Sequence, residues 1–245
     1  IVCIAGIGLI GGSMAIDLRR SGFATKIVGV DPNSEHIKTA LEKGIIDSED
    51  TLDKALGVCD LIVLSCPVDA IAGMLTHVLD RVKGSTKVVT DTGSCKHYLG
   101  KLTKEHPARE RYVSAHPMAG TEYSGPQAAM ADLFRNKVSI ICDKQACAPD
   151  ALALTEKLYA NLGSRLLYMD SLCHDQSAAS VSHLSHLSSF ALSLAVLQKE
   201  KDQEKILAMA GGGFVSTVRL AKSESSMWVP VFLQNADPNL EMLDT

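Results

Sequence analysis

Apolar positions along this chain fall into two regimes. Up to about residue 170, short runs of Val, Ile and Leu alternate with longer stretches whose apolar residues recur every three or four positions. The runs at 1–5, 26–30, 60–65, 87–91, 112–115 and 137–142 predict strands, and the stretches near 9–21, 34–43, 68–80 and 95–104 predict helices between them. Unbroken apolar runs suit strands buried on both faces of a mostly parallel sheet, and the βαβα order supplies the covering helices. After a polar linker, a helix from Pro149 to Leu162, stopped by Gly163, and a run from Arg165 to Met169 predict one more αβ unit at the sheet edge.

From Ser171 the pattern changes. Residues 171–199 hold no Gly or Pro and read as one long helix, followed by helical pieces around 203–210, 215–223 and 227–236 with a break at Gly211-Gly212-Gly213. The division expected is therefore an α/β domain over 1–170 and an all-α domain over 171–245. So much helix makes a thin core by itself, which predicts dimerisation through this domain, a missing C-terminal segment, or both. The chain also begins inside its first predicted strand without a methionine, so residues before Ile1 are expected.

The first strand-to-helix junction carries candidate chemistry. Gly6-x-Gly8-x-x-Gly11 follows the run Ile1 to Ala5, and Asp31 closes the second run twenty residues after Gly11. Gly6 permits a tight turn, Gly8 lets the backbone approach a pyrophosphate, and Gly11 lets the helix pack closely on the strand. With Ile7, Leu9 and Ile10 these glycines form a loop whose helix N-terminus offers N–H groups to phosphate oxygens. Asp31 is placed to accept hydrogen bonds from both adenosine ribose hydroxyls and repels a 2′-phosphate, which favours NAD over NADP. Ser65 and Pro67, after a later strand, complete the expected cofactor-binding set. The fold class expected is a Rossmann-type, doubly wound sheet followed by an all-α dimerisation domain.

Composition narrows the function classes. The 245 residues carry a net charge of −4, which leaves no electrostatic footprint for nucleic acid. No apolar run reaches membrane-spanning length and no charged-then-apolar leader precedes the first strand, so no membrane association is expected. Seven cysteines without a CxxC fit reduced thiols in a cytoplasmic protein. Cys142 and Cys147 find no second pair to complete a zinc site, so no metal is expected.

Three further segments combine reactive residue types. Thr90-Asp91-Thr92-Gly93-Ser94-Cys95-Lys96 lies at the carboxyl end of a predicted strand, where open α/β sheets bind ligands; Ser94 either serves a ligand or caps the next helix. Ala115-His116-Pro117-Met118-Ala119-Gly120-Thr121-Glu122 follows another strand, and His116 is either a reachable proton-transfer group or a structural loop histidine. The third segment is split between His174-Asp175, Ser182-His183-Leu184-Ser185-His186, and Gly211-Gly212-Gly213-Phe214 with Thr217-Val218-Arg219. His183 and His186 share a helix face and, lacking the glutamate of an HExxH, read as core or pocket residues before metal ligands. Arg219, alone among apolar residues, either grips a carboxylate or makes a surface salt bridge.

Together these segments resemble the prephenate and arogenate dehydrogenase family of tyrosine biosynthesis. The resemblance runs through GIGLIGGS at 6–13, VTDTGSCK at 89–96, AHPMAGTEYSG at 115–125, HD at 174–175, SHLSH at 182–186, GGGF at 211–214, and TVRLAKS with MW at 217–228. It implies a homodimeric NAD enzyme that oxidatively decarboxylates prephenate to 4-hydroxyphenylpyruvate. Arogenate is the alternative substrate, and a β-hydroxyacid-type dehydrogenase or a non-catalytic NAD(H)-sensing module are the rival readings. The resemblance further implies that His116 accepts the proton of the substrate's C4 hydroxyl and that Ser94 bonds the same hydroxyl. Arg219 then clamps a carboxylate with Glu122 as gating partner, while Thr121, His183 and His186 line the substrate site and Trp228 reaches into a neighbouring subunit's pocket. The family commonly has proline where this chain has Ser185, and a lost kink there is expected to alter where His186 points.

Overall fold

The computed structural model describes residues 1–202 and 205–245. They form two compact units, Ile1–His174 and Asp175–Thr245.

The first unit is built on one sheet. Along the chain come β1 (Val2–Ala5), α1 (Leu9–Arg20), β2 (Ile27–Val30), α2 (Ser34–Glu42), β3 (Ser48–Glu49), α3 (Leu52–Val58) and β4 (Leu61–Leu64). They are followed by α4 (Val68–Val82), β5 (Val88–Asp91), α5 (His97–Thr103), β6 (Tyr112–Pro117), β7 (Val138–Cys142), α6 (Pro149–Asn161) and β8 (Arg165–Met169). The strand order is β3-β2-β1-β4-β5-β6-β7-β8. Neighbours run parallel except β6 and β7, which pair antiparallel with Ser114 opposite Cys142.

Side-chain alternation explains the unbroken apolar runs. Val2 and Ile4 face a core layer with Met14, Leu18, Leu158 and Tyr159, whereas Cys3 and Ala5 face a second layer with Leu56, Ile71, Leu75 and Leu79. The chain winds outward in both directions from the adjacent pair β1 and β4, and ligands of such sheets bind beyond the carboxyl ends at that switch point. The sequence pattern misses β3 and α3. Two residues carry no periodicity, and a seven-residue helix has too few turns to show one.

The helix expected over 171–199 is present but not uniform. α7 (Ser171–Ala178) passes through a π-helical turn, Ala179–His183, into α8 (Leu184–Asp202). Of the helical piece expected at 203–210, residues 203–204 lie outside the described residues, and Leu207–Met209 forms a 3-10 turn. α9 (Gly212–Thr217), a 3-10 segment Val218–Lys222, α10 (Ser225–Gln234) and α11 (Ala236–Leu243) complete the second unit. One expectation needs correcting: as a single helix, Ser171–Lys201 is long and apolar enough to cross a membrane. Its scattered Ser and His residues break the apolar runs while leaving the average apolar.

Candidate active site

Steric necessity shapes the turn between β1 and α1. Gly6 has φ +97°, and a Cβ there would lie 2.4 Å from the Ser65 carbonyl oxygen. A Cβ on Gly11 would lie 2.1 Å from the Gly6 carbonyl oxygen, so α1 packs against its own turn only without a side chain. Gly8 by contrast meets nothing within 4 Å, which leaves open the space a dinucleotide's phosphates require at the N-terminus of α1. Leu9 and Ile10 open that helix. Ser65 is stitched to β1 through its N–H, 2.6 Å from the Ala5 carbonyl oxygen, and accepts the Thr92 hydroxyl at 3.1 Å, while Pro67 leads into α4.

Asp31 stands just past β2. One carboxylate oxygen accepts the Ile7 N–H at 2.8 Å and the other accepts the Asn33 N–H at 2.9 Å; His36 Nδ1 lies 3.4 Å from the first. The carboxylate thus braces the glycine turn and keeps lone pairs open to further hydrogen-bond donors. Asp31→Ser is expected to lower the preference for NAD over NADP about 10- to 100-fold, from charge-assisted bonds of about 1.5–3 kcal/mol. Cofactor KM ratios measure this; an unchanged ratio removes Asp31 from ribose recognition.

Fully buried charges join the ends of β5 and β6. Asp91 and Lys96 are both 0% exposed and pair directly, and Lys96 Nζ also donates to the Ala115 carbonyl oxygen at 2.7 Å. Asp91 further accepts the Tyr112 hydroxyl at 2.8 Å, the Ala115 N–H at 3.2 Å and the Gly93 N–H at 2.9 Å. Desolvation, then the Asp91 charge, push the Tyr112 hydroxyl well above its ordinary range, so it stays a donor. The network pins the backbone on both sides of Ser94 and immediately before His116. Ser94 itself is half-buried in the turn and does not cap α5, where Lys96 holds the cap position.

His116, in β6, is 9% exposed, and its Nδ1 lies 2.9 Å from Nε2 of the 1% exposed His174. Two imidazole nitrogens at that distance share one proton. With that proton on His116 Nδ1, the Nε2 lone pair of His116 is an acceptor. α7 delivers His174 from a fixed start: Asp170 Oδ1 accepts the Cys173 N–H at 2.8 Å, and the Ser171 N–H donates to Asp143 at 3.0 Å. The sequence marks His174-Asp175 as a motif but assigns it no role, and Asp91, Lys96 and Tyr112 escape notice there. A lysine set among strand-end residues, with no surface pattern around it, was the available signal.

Thr121 and Glu122 are exposed in the loop after β6. That loop ends against α1 and α2, where the Met130 N–H donates to Ser13 Oγ at 2.9 Å and Gln127 reaches Thr39 Oγ1 at 3.4 Å.

The second unit gathers its own set. His183 and His186 share a face, and Trp228, 7% exposed, stacks on His186 with ring centroids 3.6 Å apart and meets His183 edge-on at 5.9 Å. The indole is therefore packed within its own chain, and its buried N–H meets no acceptor there. Burial, with a smaller contribution from the Arg219 charge, holds the His186 imidazole below its ordinary range, so it is neutral at pH 7. Arg219 is exposed on the 3-10 segment. Among the described residues, no three His, Cys, Asp or Glu side chains gather as a metal site.

Residues 14–168 match the family model described as prephenate dehydrogenase, nucleotide-binding domain, and residues 170–245 match that of its dimerisation domain. This chain belongs to the prephenate dehydrogenase family. It is 28% identical over 245 residues to a Bacillus subtilis prephenate dehydrogenase, covering 99% of this chain and 66% of that protein, about two thirds of its length. A Zymomonas mobilis cyclohexadienyl dehydrogenase is 29% identical over 247 residues, with 99% and 83% covered. The crystal structure of an Aquifex aeolicus prephenate dehydrogenase in complex with hydroxyphenyl propionate and NAD+ matches with a TM-score of 0.88 at 32% identity, covering 99% of this chain and 85% of that one.

Against the family's usual SHLPH, Ser185 leaves the long helix without a proline. The irregularity lies just upstream instead, in the π-helical turn that ends at His183.

Proposed function

We propose that this chain is a cytoplasmic, homodimeric, NAD+-dependent prephenate dehydrogenase. The observation that carries the reading is the His116–His174 pair at the carboxyl end of β6, on the sheet edge shared with the Ser94 turn and the glycine turn.

Aromatisation drives the loss of CO2 from prephenate, so the protein must orient the ring, take a proton and neutralise a carboxylate. His116 accepts the C4 hydroxyl proton at Nε2 while its Nδ1–H stays on His174. Ser94 Oγ bonds the same hydroxyl. Gly6 to Gly11, Asp31, Ser65 and Pro67 would hold NAD+, which would supply the hydride acceptor when bound. We assign Thr121 and Glu122 of the first unit, and His183, His186 and Trp228 of the second, to substrate contacts, and Arg219 to a substrate carboxylate. Exposed apolar residues such as Leu194, Val229, Leu233 and Leu240 give the helical domain faces that a second copy would cover, which favours a dimer over a membrane span.

The β-hydroxyacid reading relies on a lysine on the long helix, where this chain carries His183 and His186. A sensing module has no use for a proton acceptor and a carboxylate clamp together. NADH absorbance with NAD+ and prephenate, arogenate or a β-hydroxyacid separates these readings. Turnover of prephenate above arogenate is expected, and no turnover of either cyclohexadiene overturns the proposal. Arg219→Ala is expected to raise KM for prephenate about 30- to 1000-fold, equivalent to about 2–4 kcal/mol for a lost charge-assisted pair. A loss confined to kcat would contradict the clamp.

A further inference from the structure

We infer that Asn235 is a positioning residue that sets which nitrogen of His183 carries the proton. Asn235 joins α10 to α11, and it, His183 and Asn239 are all buried. Asn235 Nδ2 donates to the Asp175 carbonyl oxygen at 2.8 Å. A carbonyl oxygen only accepts, so this contact settles which end of the amide is nitrogen. The same Nδ2 lies 3.0 Å from His183 Nδ1. Its second hydrogen points at Nδ1, and Nδ1 must therefore offer a lone pair.

The Asn239 amide approaches the same nitrogen at 3.2 Å through its oxygen, while its Nδ2 meets no partner among the described residues. Exchanging the two nearly isosteric ends of that amide removes the one contact that would call for a proton on Nδ1, and leaves its lone pair to the shorter Asn235 bond. The opposite assignment sets a proton on Nδ1 against the Asn235 N–H between two side chains that are each 1% exposed, where an unmade bond is costly. An imidazolium meets the same obstacle. Asn235 thus keeps His183 neutral with its proton on Nε2, and by holding Asp175 as well it grips both sides of the π-helical turn.

This deepens the proposed function and rests on it where substrate is concerned. Any contact His183 makes to the substrate is then that of a hydrogen-bond donor, suited to a carboxylate or ketone oxygen and unsuited to an ammonium group.

Long-range 1H–15N correlations of 15N-histidine-labelled protein, with His183 assigned by its loss in His183→Gln, read the tautomer without substrate. The Nε2–H pattern is expected, and Asn235→Leu should mix the tautomers while Asn235→Asp moves the proton to Nδ1. An Nδ1–H or imidazolium pattern at neutral pH in the unmutated protein, or an unchanged pattern in Asn235→Leu, overturns the inference. Should the Asn235 variants not fold, His183→Gln, whose amide nitrogen replaces Nε2, is expected to lose about tenfold in kcat/KM and His183→Asn about 100-fold. Equal losses in the two overturn it. Because the spectrum needs no turnover, a failure of the prephenate assay leaves this result readable.

Discussion

His116→Asn lowers kcat by roughly two to four orders of magnitude while prephenate and NAD+ binding are largely kept. Asparagine is the informative replacement because its amide nitrogen falls near the position of Nδ1 and can still donate to His174 Nε2, the partner 2.9 Å away in the unmutated protein. What disappears is the Nε2 lone pair. The acidic limb of the pH–rate profile, which reports a base that must be unprotonated, should vanish with it. Steady-state kinetics across pH measure both effects. A kcat within a few-fold of the unmutated protein would return His116 to the status of a structural loop histidine.

Lys96→Met destabilises the fold by about 3–5 kcal/mol, because it leaves the Asp91 carboxylate charged and fully buried. Both side chains are 0% exposed, so solvent cannot take over the lysine's part. Tyr112, Gly93 and Ala115 still donate to Asp91, but they bring hydrogen bonds without a compensating charge. Adding Asp91→Asn should recover part of the loss, since the double variant buries no net charge. Urea unfolding of both variants measures this coupling. A loss below about 1 kcal/mol for Lys96→Met would mean the pair is not the strut between β5 and β6. The expected kinetic companion is a lower kcat in whatever fraction of Lys96→Met remains folded, because the same contacts seat Ser94 and His116.

These two residues show how unevenly the site could be read in advance. His116 is singled out in advance as a histidine followed by proline at a strand end, with six further motifs in order around it. Lys96 sits in one of those motifs, yet its burial against Asp91 and the Ala115 backbone depends on β5 and β6 lying side by side. Ser94 had two readings in the sequence, and one is closed by where α5 starts. Trp228, expected to reach toward another subunit, packs within this chain on His186 and His183. That packing follows from the close approach of α10 to α8, which no local pattern records.

By itself the sequence determined the sheet-then-helix order, the strands β1, β2 and β4 to β8, the glycine turn and its Asp31. Each of these depends on local demands: alternating burial, a positive φ, or a Cβ that would strike the next backbone. Only the tertiary structure decided that β7 turns against β6, that Asp91, Lys96 and Tyr112 form one buried network, that His174 stands on His116, and that Asn235 holds His183. The reason is distance along the chain. His174 is 58 residues from His116 and Asn235 is 52 from His183, and a proton shared over such a span is set by packing that brings two helices or strands together.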